Sequence, residues 1–581
     1  MTSMANTEAQ LETSLARIQE IEQALWSAVP TDTLLAQYQA AFREHEQRIA
    51  EQGDDQRHEF IIVIPVADRP QHLLSCLDSL LHLCETFGYG GYAENRYQKI
   101  SVIIADDSKD SDNIAKNKAI ARECNSRGLS TLYFGLDEQI DQMQALGEAA
   151  RKSLSRVLGS INVDAFYHKG PSLMRNITYL ELNKISSKNE KILFYFIDSD
   201  QEFQLKISTP EGDKNLYACN YFYYLDQIFS NTNASMLTGK VVGDPPVSPS
   251  VMAGNFLQDV VAFLQQIAKC DPSLPCQFHG TIQQDNSGAS YHDMAALFGF
   301  RANKASQQYR CNIKGSHDNA RCLQHFSSKL GSFFYGEHPT RKTYYEHEAS
   351  LLSARPARTV YTGNYIFRPS ALKHFIPFAA LKLRMAGPVL GRLIKAELKD
   401  AFVSANLPML HKRTVRETGQ SEFRPGIAAD IEHIDLSGEF ERQFYGDVML
   451  FSIEKLIAMG YPQQILMSEL IAETVAKTHA EIFQQYIDNL LIINNKTDKL
   501  KSVFYDARHW WQETGIHAEA IHNITAFIAN IEHNFSEKSA GNKLISSPAN
   551  KEMRISGIVA GLTFLAEDKL AWENTLNQSR A

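Results

Sequence analysis

The sequence predicts an α/β protein: a doubly wound sheet with an N-terminal helical arm and a C-terminal helical region. Three observations predict it. The runs Phe60-Ile-Ile-Val-Ile-Pro-Val66, Ile100-Ser-Val-Ile-Ile-Ala105 and Ile192-Leu-Phe-Tyr-Phe-Ile197 are short, apolar and rich in β-branched residues, the character of parallel strands buried on both faces. Amphipathic helical stretches separate them, so the order βαβαβ…αβ is that of an open sheet whose ligands bind beyond the carboxyl ends of its strands. Both ends of the chain carry helical periodicity instead.

Residues 7–50 place Leu11, Leu15, Ile18, Ile21 and Leu25 at three- and four-residue intervals and read as helix, closed by the polar linker Glu51–Arg57. After the first strand, Leu73, Leu74, Leu77, Leu80 and Leu81 mark the face of a second helix. The strand from Ile100 ends in Asp106-Asp107-Ser108; a helix and the strand Thr131–Phe134 follow, then helical stretches over about 138–158 and 170–185 that lead to Ile192. From about 200 to 435 the pattern is mixed and loop-rich, with turns at Gly243-Asp-Pro-Pro-Val-Ser-Pro249 and within Cys270–Gly280. Helical periodicity returns from about 438 through Leu450–Leu456 and Ile482–Ile487. A Ser/Asn/Lys-rich break near 536–552 precedes a last apolar segment, Ile555–Leu565. The expected divisions are therefore an arm at 1–55, a central α/β domain at 56–435 and a helical region at 436–581.

A chain of 581 residues exceeds one hydrophobic core. Its formal net charge of −9 argues against a nucleic-acid or anionic-membrane surface. No apolar run approaches the ~18 residues of a transmembrane segment, and residues 1–30 lack the apolar core of a signal peptide. The eight cysteines are scattered and form no CxxC pair, which fits free thiols in a cytoplasmic protein.

The chemistry concentrates at strand ends. Asp198-Ser199-Asp200 closes the strand from Ile192, and two carboxylates leaving a strand edge can converge on one hard cation, Mn²⁺ or Mg²⁺. Such an ion would neutralise charge on a departing diphosphate; the bland alternative is an acidic surface turn. Asp68 ends the first strand, and Asp106 with Asp107 ends the second. Carboxylates there can accept hydrogen bonds from a nucleobase or ribose, or simply cap the helices that follow. Asn406-Leu-Pro-Met-Leu-His411-Lys412-Arg413 reads as a short strand ending in His beside two cations. A neutral imidazole suits Mn²⁺ and the cations suit a diphosphate, against a structural His and solvated charges.

These residues resemble the glycosyltransferases of the GT-A fold, especially the family-2-like group. The resemblance rests on Ile61–Pro70 with its Leu-rich helix, Val102–Ser108, Phe196–Asp200 and Lys169-Gly170-Pro-Ser-Leu-Met-Arg175-Asn176. It covers about 60–205 well and 355–415 loosely. It implies a GT-A-like mixed sheet and transfer of a sugar from a UDP- or GDP-sugar to a hydroxyl acceptor, dependent on Mn²⁺ or Mg²⁺. Pro65, Asp68, Arg69, Asp106, Asp107, Gly170, Arg175, Asp198, Ser199 and Lys412 would then bind the donor, while Asp198, Asp200 and His411 hold the metal. Gly363, Asn364, Arg384 and Gly387 are assigned to the acceptor, and Arg392 joins Asp198 and Asp200 as catalytic; turns and surface charges are the competing account.

The Gln-x-x-Arg-Trp block of processive synthases is missing, so a non-processive enzyme is expected. Asp259, Asp285, Asp293 and Glu397 are each conceivable as an inverting enzyme's base. The downstream His and glycine-bearing loop lean towards retention, as in glycerate-type glycosyltransferases. Zinc is not expected: His279, His292, His317, His325 and His338, with Cys311 and Cys322, show no closely spaced ligand pair. Walker A, Gly-x-Gly-x-x-Gly and Gly-x-Ser-x-Gly motifs do not occur. Outside catalysis, the rival is a scaffold that keeps the fold and uses its helical ends as interaction surfaces. Those ends also offer a route to a homo-oligomer.

Overall fold

A computed structural model describes residues 2–53, 55–186, 191–279, 309–348, 354–513 and 517–578, with side chains from Gln10 onward. Its centre is a nine-stranded mixed sheet. In chain order the strands are β1 Glu59–Val66, β2 Ile100–Asp106, β3 Ser130–Phe134, β4 Ile192–Ile197, β5 Gln201–Glu202, β6 Met236–Gly243, β7 Arg355–Pro356, β8 Asn364–Phe367 and β9 Phe402–His411. They lie in the order β7-β9-β6-β8-β4-β1-β2-β3, with β5 paired to the end of β9.

The β-branched runs form central strands because both of their faces are covered. On β1, Ile61 and Val63 enter one hydrophobic core, while Phe60, Ile62, Ile64 and Val66 enter the other. Alternate side chains of a strand point to opposite faces, so an all-apolar run can be satisfied only between two layers.

Direction positions the site. β1 runs parallel to β2 and β4, and β2 to β3. β8 is antiparallel to both β4 and β6, and β9 is parallel to β6. Two reversals cancel, so β6 and β9 point the same way as β4. Val66, Asp106, Ile197, Gly243 and His411 therefore all end at one edge.

The arm is two helices rather than one over 7–50: Thr2–Trp26 and Asp32–Gln52. Pro30 precludes a continuous helix there, and Thr31 caps the second helix by accepting the Leu34 amide at 3.3 Å. The pair forms an antiparallel hairpin whose Ile18, Leu25, Tyr38 and Phe42 pack into the core on one face of the sheet. Much of the arm's apolar stripe is thus used within the chain. The stretch at 138–158 is likewise divided, into Leu136–Gln144, Gly147–Ser153 and Ser155–Leu158, with Gly147 at φ +73 between the first two.

The C-terminal helices, including Ser437–Ala458, Ser468–Phe504, Ala518–Phe535 and Leu565–Gln578, cover the opposite face. Ile453, Ile493, Ile528 and Trp572 share one continuous core with Ile61, Phe194 and Phe196. Both expected boundaries, at 55 and 435, are therefore crossed by apolar packing. Among the described residues, no helix is long and apolar enough to cross a membrane.

Candidate functional site

The Asp198-Ser199-Asp200 turn is held by Gln201, whose side-chain oxygen accepts the Asp198 amide at 3.0 Å and whose own amide donates to the Asp198 carbonyl at 3.1 Å. β5 then pairs antiparallel with the end of β9, Gln201 opposite His411. That pairing delivers Asp200 to His411. The Lys412 amide closes the arrangement on the Asp200 carbonyl at 2.9 Å.

His411 Nδ1 lies 2.7 Å from the Asp244 carbonyl. A carbonyl only accepts, so Nδ1 donates to it, and Nε2 is the ring nitrogen turned towards Asp200. Nε2 lies 3.6 Å from Asp200 Oδ1, and that buried oxygen has no hydrogen-bond partner among the described residues. Asp200 Oδ2 faces Arg69 at 3.2 Å and Arg413 at 3.6 Å. Burial opposes the charge on Asp200, but Arg69, His411 and Arg413 outweigh it and hold the carboxyl well below its usual range. Asp198 Oδ1 pairs with Arg175, a 2% exposed arginine in the first turns of the helix Pro171–Ser186.

These groups border a cavity of about 530 Å³. One wall is cationic: Arg69, Arg175, Arg384, Arg413 and Arg424. Another is apolar, with Val66, Val360, Leu383, Met385 and Phe423. Burial, with Arg413 close by, pushes Arg424 well below the ordinary arginine range. A guanidinium stays charged in proteins, so this wall is short of negative charge and is suited to an anion. At the inner end Asp107 accepts Lys169 Nζ at 2.6 Å and the Gly170 amide at 3.0 Å. Burial lowers Lys169 despite that carboxylate. His168 stacks on Phe423 with ring centroids 4.0 Å apart.

Of the residues singled out from sequence, Pro65, Arg69, Asp107, Gly170, Arg175, Asp198, Ser199, Asp200, Arg384 and Gly387 line this one cavity. Arg384 and Gly387, expected on the acceptor side, share it with Asp107 and Arg175. A second cavity of about 650 Å³ meets the first at Ser199 and Asp200 and contains His411, Lys412, Glu202, Asp244 and Lys342. Lys412 faces this second space, paired to Glu202 at 2.6 Å.

Other expected residues serve the framework. Asp68 binds His168 Nε2 at 2.6 Å and accepts the Lys109 and Asp110 amides. Asp106 accepts from Asn117 at 2.9 Å and Tyr133 at 2.7 Å beneath the edge. Asn364 is buried and donates to the Lys240 and Leu407 carbonyls. Arg392 lies outside both cavity linings; its guanidinium is tied to Glu454 at 2.9 Å, Thr359 and the Arg358 carbonyl. Gly363 lies outside both of these cavity linings but backs Asp198 closely. Asp259 is bound by Arg341 through two hydrogen bonds of 2.8 and 2.9 Å, and Glu397 pairs with Lys569. Asp285 and Asp293 lie outside the described residues, as does His292.

Sequence reading missed Arg424, Phe423, His168 and Asp244. His168 adjoins the recognised Lys169-Gly170 and could have been found there; the others sit in loops without local pattern.

No family model matches the chain, and neither does any curated protein. Among solved structures it is similar to glucosyl-3-phosphoglycerate synthase from Mycobacterium tuberculosis in complex with Mn²⁺, UDP and glucosyl-3-phosphoglycerate. That similarity has 10% identity over 64% of this chain and 77% of the other, with a TM-score of 0.25.

Proposed function

We propose that this chain is a metal-dependent, non-processive glycosyltransferase using a nucleoside-diphosphate sugar and a hydroxyl acceptor. The observation that carries the proposal is the approach of His411 to Asp200 where the arginine-walled cavity and the second cavity share Ser199 and Asp200, with Asp198 in the same turn. The residues fit a divalent cation. Asp200 Oδ1 is buried without a hydrogen-bond partner, and His411 Nε2 is the nitrogen left free by the bond to Asp244. Asp198, Asp200 and His411 would hold Mn²⁺ or Mg²⁺, which supplies Lewis-acid stabilisation of the leaving diphosphate when bound.

The protein's own groups do the rest. Arg69, Arg175 and Arg413 present guanidinium donors to phosphate oxygens. The apolar wall around Phe423 suits the nucleoside, and the second cavity, joined at Ser199 and Asp200, suits the acceptor. Asp259 and Glu397 are committed to Arg341 and Lys569, which favours a retaining outcome over one needing either as base.

The test is binding and hydrolysis of UDP-, GDP- and ADP-sugars with Mn²⁺, comparing wild type with Asp200→Ala. One donor should bind and turn over in the wild type, with at least a tenfold loss in the variant. If no nucleotide sugar binds and the substitution changes nothing, the chain is a scaffold rather than this enzyme.

A further inference from the structure

We propose that Cys276, His279, Cys311 and His317 form a structural zinc site, separate from the Asp198–Asp200 cavity. Their thiols and one ring nitrogen from each histidine all lie within 4.8 Å of one another. The sequence expectation of no zinc is corrected by this cluster. Cys276-x-x-His279 is itself a closely spaced pair, and the fold brings it against Cys311 and His317 from far downstream.

Backbone bonds hold the two segments face to face. The Cys276 amide donates to the His317 carbonyl at 2.9 Å, and the Cys311 amide donates to the Phe278 carbonyl at 2.7 Å. Pro275 and Asp318 form an antiparallel bridge beside them. The ligand atoms are also prepared chemically. His317 Nδ1 is 3.0 Å from the Gly315 carbonyl and so bears the proton, leaving Nε2 free 3.3 Å from Cys311 Sγ. A ligating imidazole is oriented by this kind of backbone acceptor in metal sites. Cys276 Sγ accepts the Phe278 amide at 3.5 Å.

Two thiolates and two neutral imidazoles make a complete tetrahedral Cys₂His₂ set, which selects Zn²⁺ over the hard cations suited to carboxylates. With Zn–S near ~2.3 Å and Zn–N near ~2.0 Å, ligand atoms would sit roughly 3.3–3.8 Å apart. The cluster needs to contract by about 1–1.5 Å at its widest to reach that spacing. All eight cysteines are free thiols. The buried Cys322 thiol adjoins Cys276 and Cys311 and is the competing ligand.

The site also bears on the second cavity. Arg310, next to Cys311, lines that space and reaches Ser208 Oγ at 2.9 Å and the Pro210 carbonyl at 3.1 Å. Zinc would brace this wall by joining the segment at Cys276–His279 to the one at Cys311–His317.

The experiment measures metal content of the full chain purified under reducing conditions and gel-filtered. About one zinc per chain is expected. Cys276→Ser and Cys311→Ser should each lose it at least tenfold, whereas Asp200→Ala and Cys322→Ser keep it, which separates this metal from the donor site. Because the serine variants can fail to fold, the wild-type chain is also refilled with Co²⁺. Thiolate-to-metal charge-transfer bands of a tetrahedral site are expected. Absence of zinc and of those bands overturns the proposal, as does zinc that is lost with Asp200→Ala but kept in Cys311→Ser. A Cys276–Cys311 disulfide in metal-free protein, or zinc lost in Cys322→Ser and kept in His279→Ala, also refutes this ligand set.

Discussion

Gly363→Ala probes how Asp198 is held without touching a charged group. An alanine Cβ at this position would lie 2.6 Å from Asp198 Oδ2 and 2.9 Å from Gln201 Nε2. Comfortable non-bonded separations are about 3.5 Å, so the carboxylate has to yield by roughly 0.9 Å. It cannot do so freely, because Oδ1 is paired with Arg175 and Gln201 also holds the Asp198 amide. Disturbing the groups that orient metal ligands costs about 10–100-fold in metal affinity or activity. That corresponds to about 1.4–2.8 kcal/mol. The assay is calorimetric titration of UDP into wild type and variant at fixed Mn²⁺, beside a denaturant melt of each. Gly363 does not occupy the left-handed region, so backbone strain does not add to the effect, and the overpacking itself should cost about 1–3 kcal/mol of stability. Wild-type binding with an unchanged affinity in the variant would refute the assignment of Asp198 to the metal.

Two further perturbations test the fold around the site. Asp447 is pushed up to about 7 by burial, against hydrogen bonds from Tyr486 and Gln443. The fold then retains a proton that the unfolded chain releases near pH 4, so stability falls as pH rises from about 4 to about 7, by at most about 4 kcal/mol from this group. Urea melts across that range should show a shallower decline for Asp447→Asn, and parallel curves would refute the assignment. Trp572 is fully buried and donates its indole N–H to the Leu372 carbonyl at 2.9 Å. Trp572→Ala should cost about 3–5 kcal/mol in a denaturant melt of the whole chain. A loss below about 1 kcal/mol would show that the last helix contributes little to the shared core.

Much of the sheet was legible because the signal is local. An unbroken apolar run such as Phe60–Val66 can survive only between two covering layers, and the strand directions then place Asp106, Asp107 and Asp198–Asp200 at one edge. Leu73, Leu77, Leu80 and Leu81 marked the helix Pro70–Phe87 by spacing alone. Breaks were less legible. A proline at position 30 and a left-handed glycine at 147 divide helices that periodicity continues across.

The sequence by itself determined which strands are buried, which of them end in carboxylates and where helices cover them, since each depends on neighbours a few residues away. Only the tertiary structure decided that His411 reaches Asp200, because that depends on β8 reversing direction twice over between β4 and β6. It also turned Arg392 away to Glu454, set Gly363 behind Asp198, drew Arg424 into the cavity wall and joined Cys276 and His279 to Cys311 and His317. Those meetings are fixed by strand order and layer packing, and no periodicity along the chain encodes a contact between residues so far apart in it.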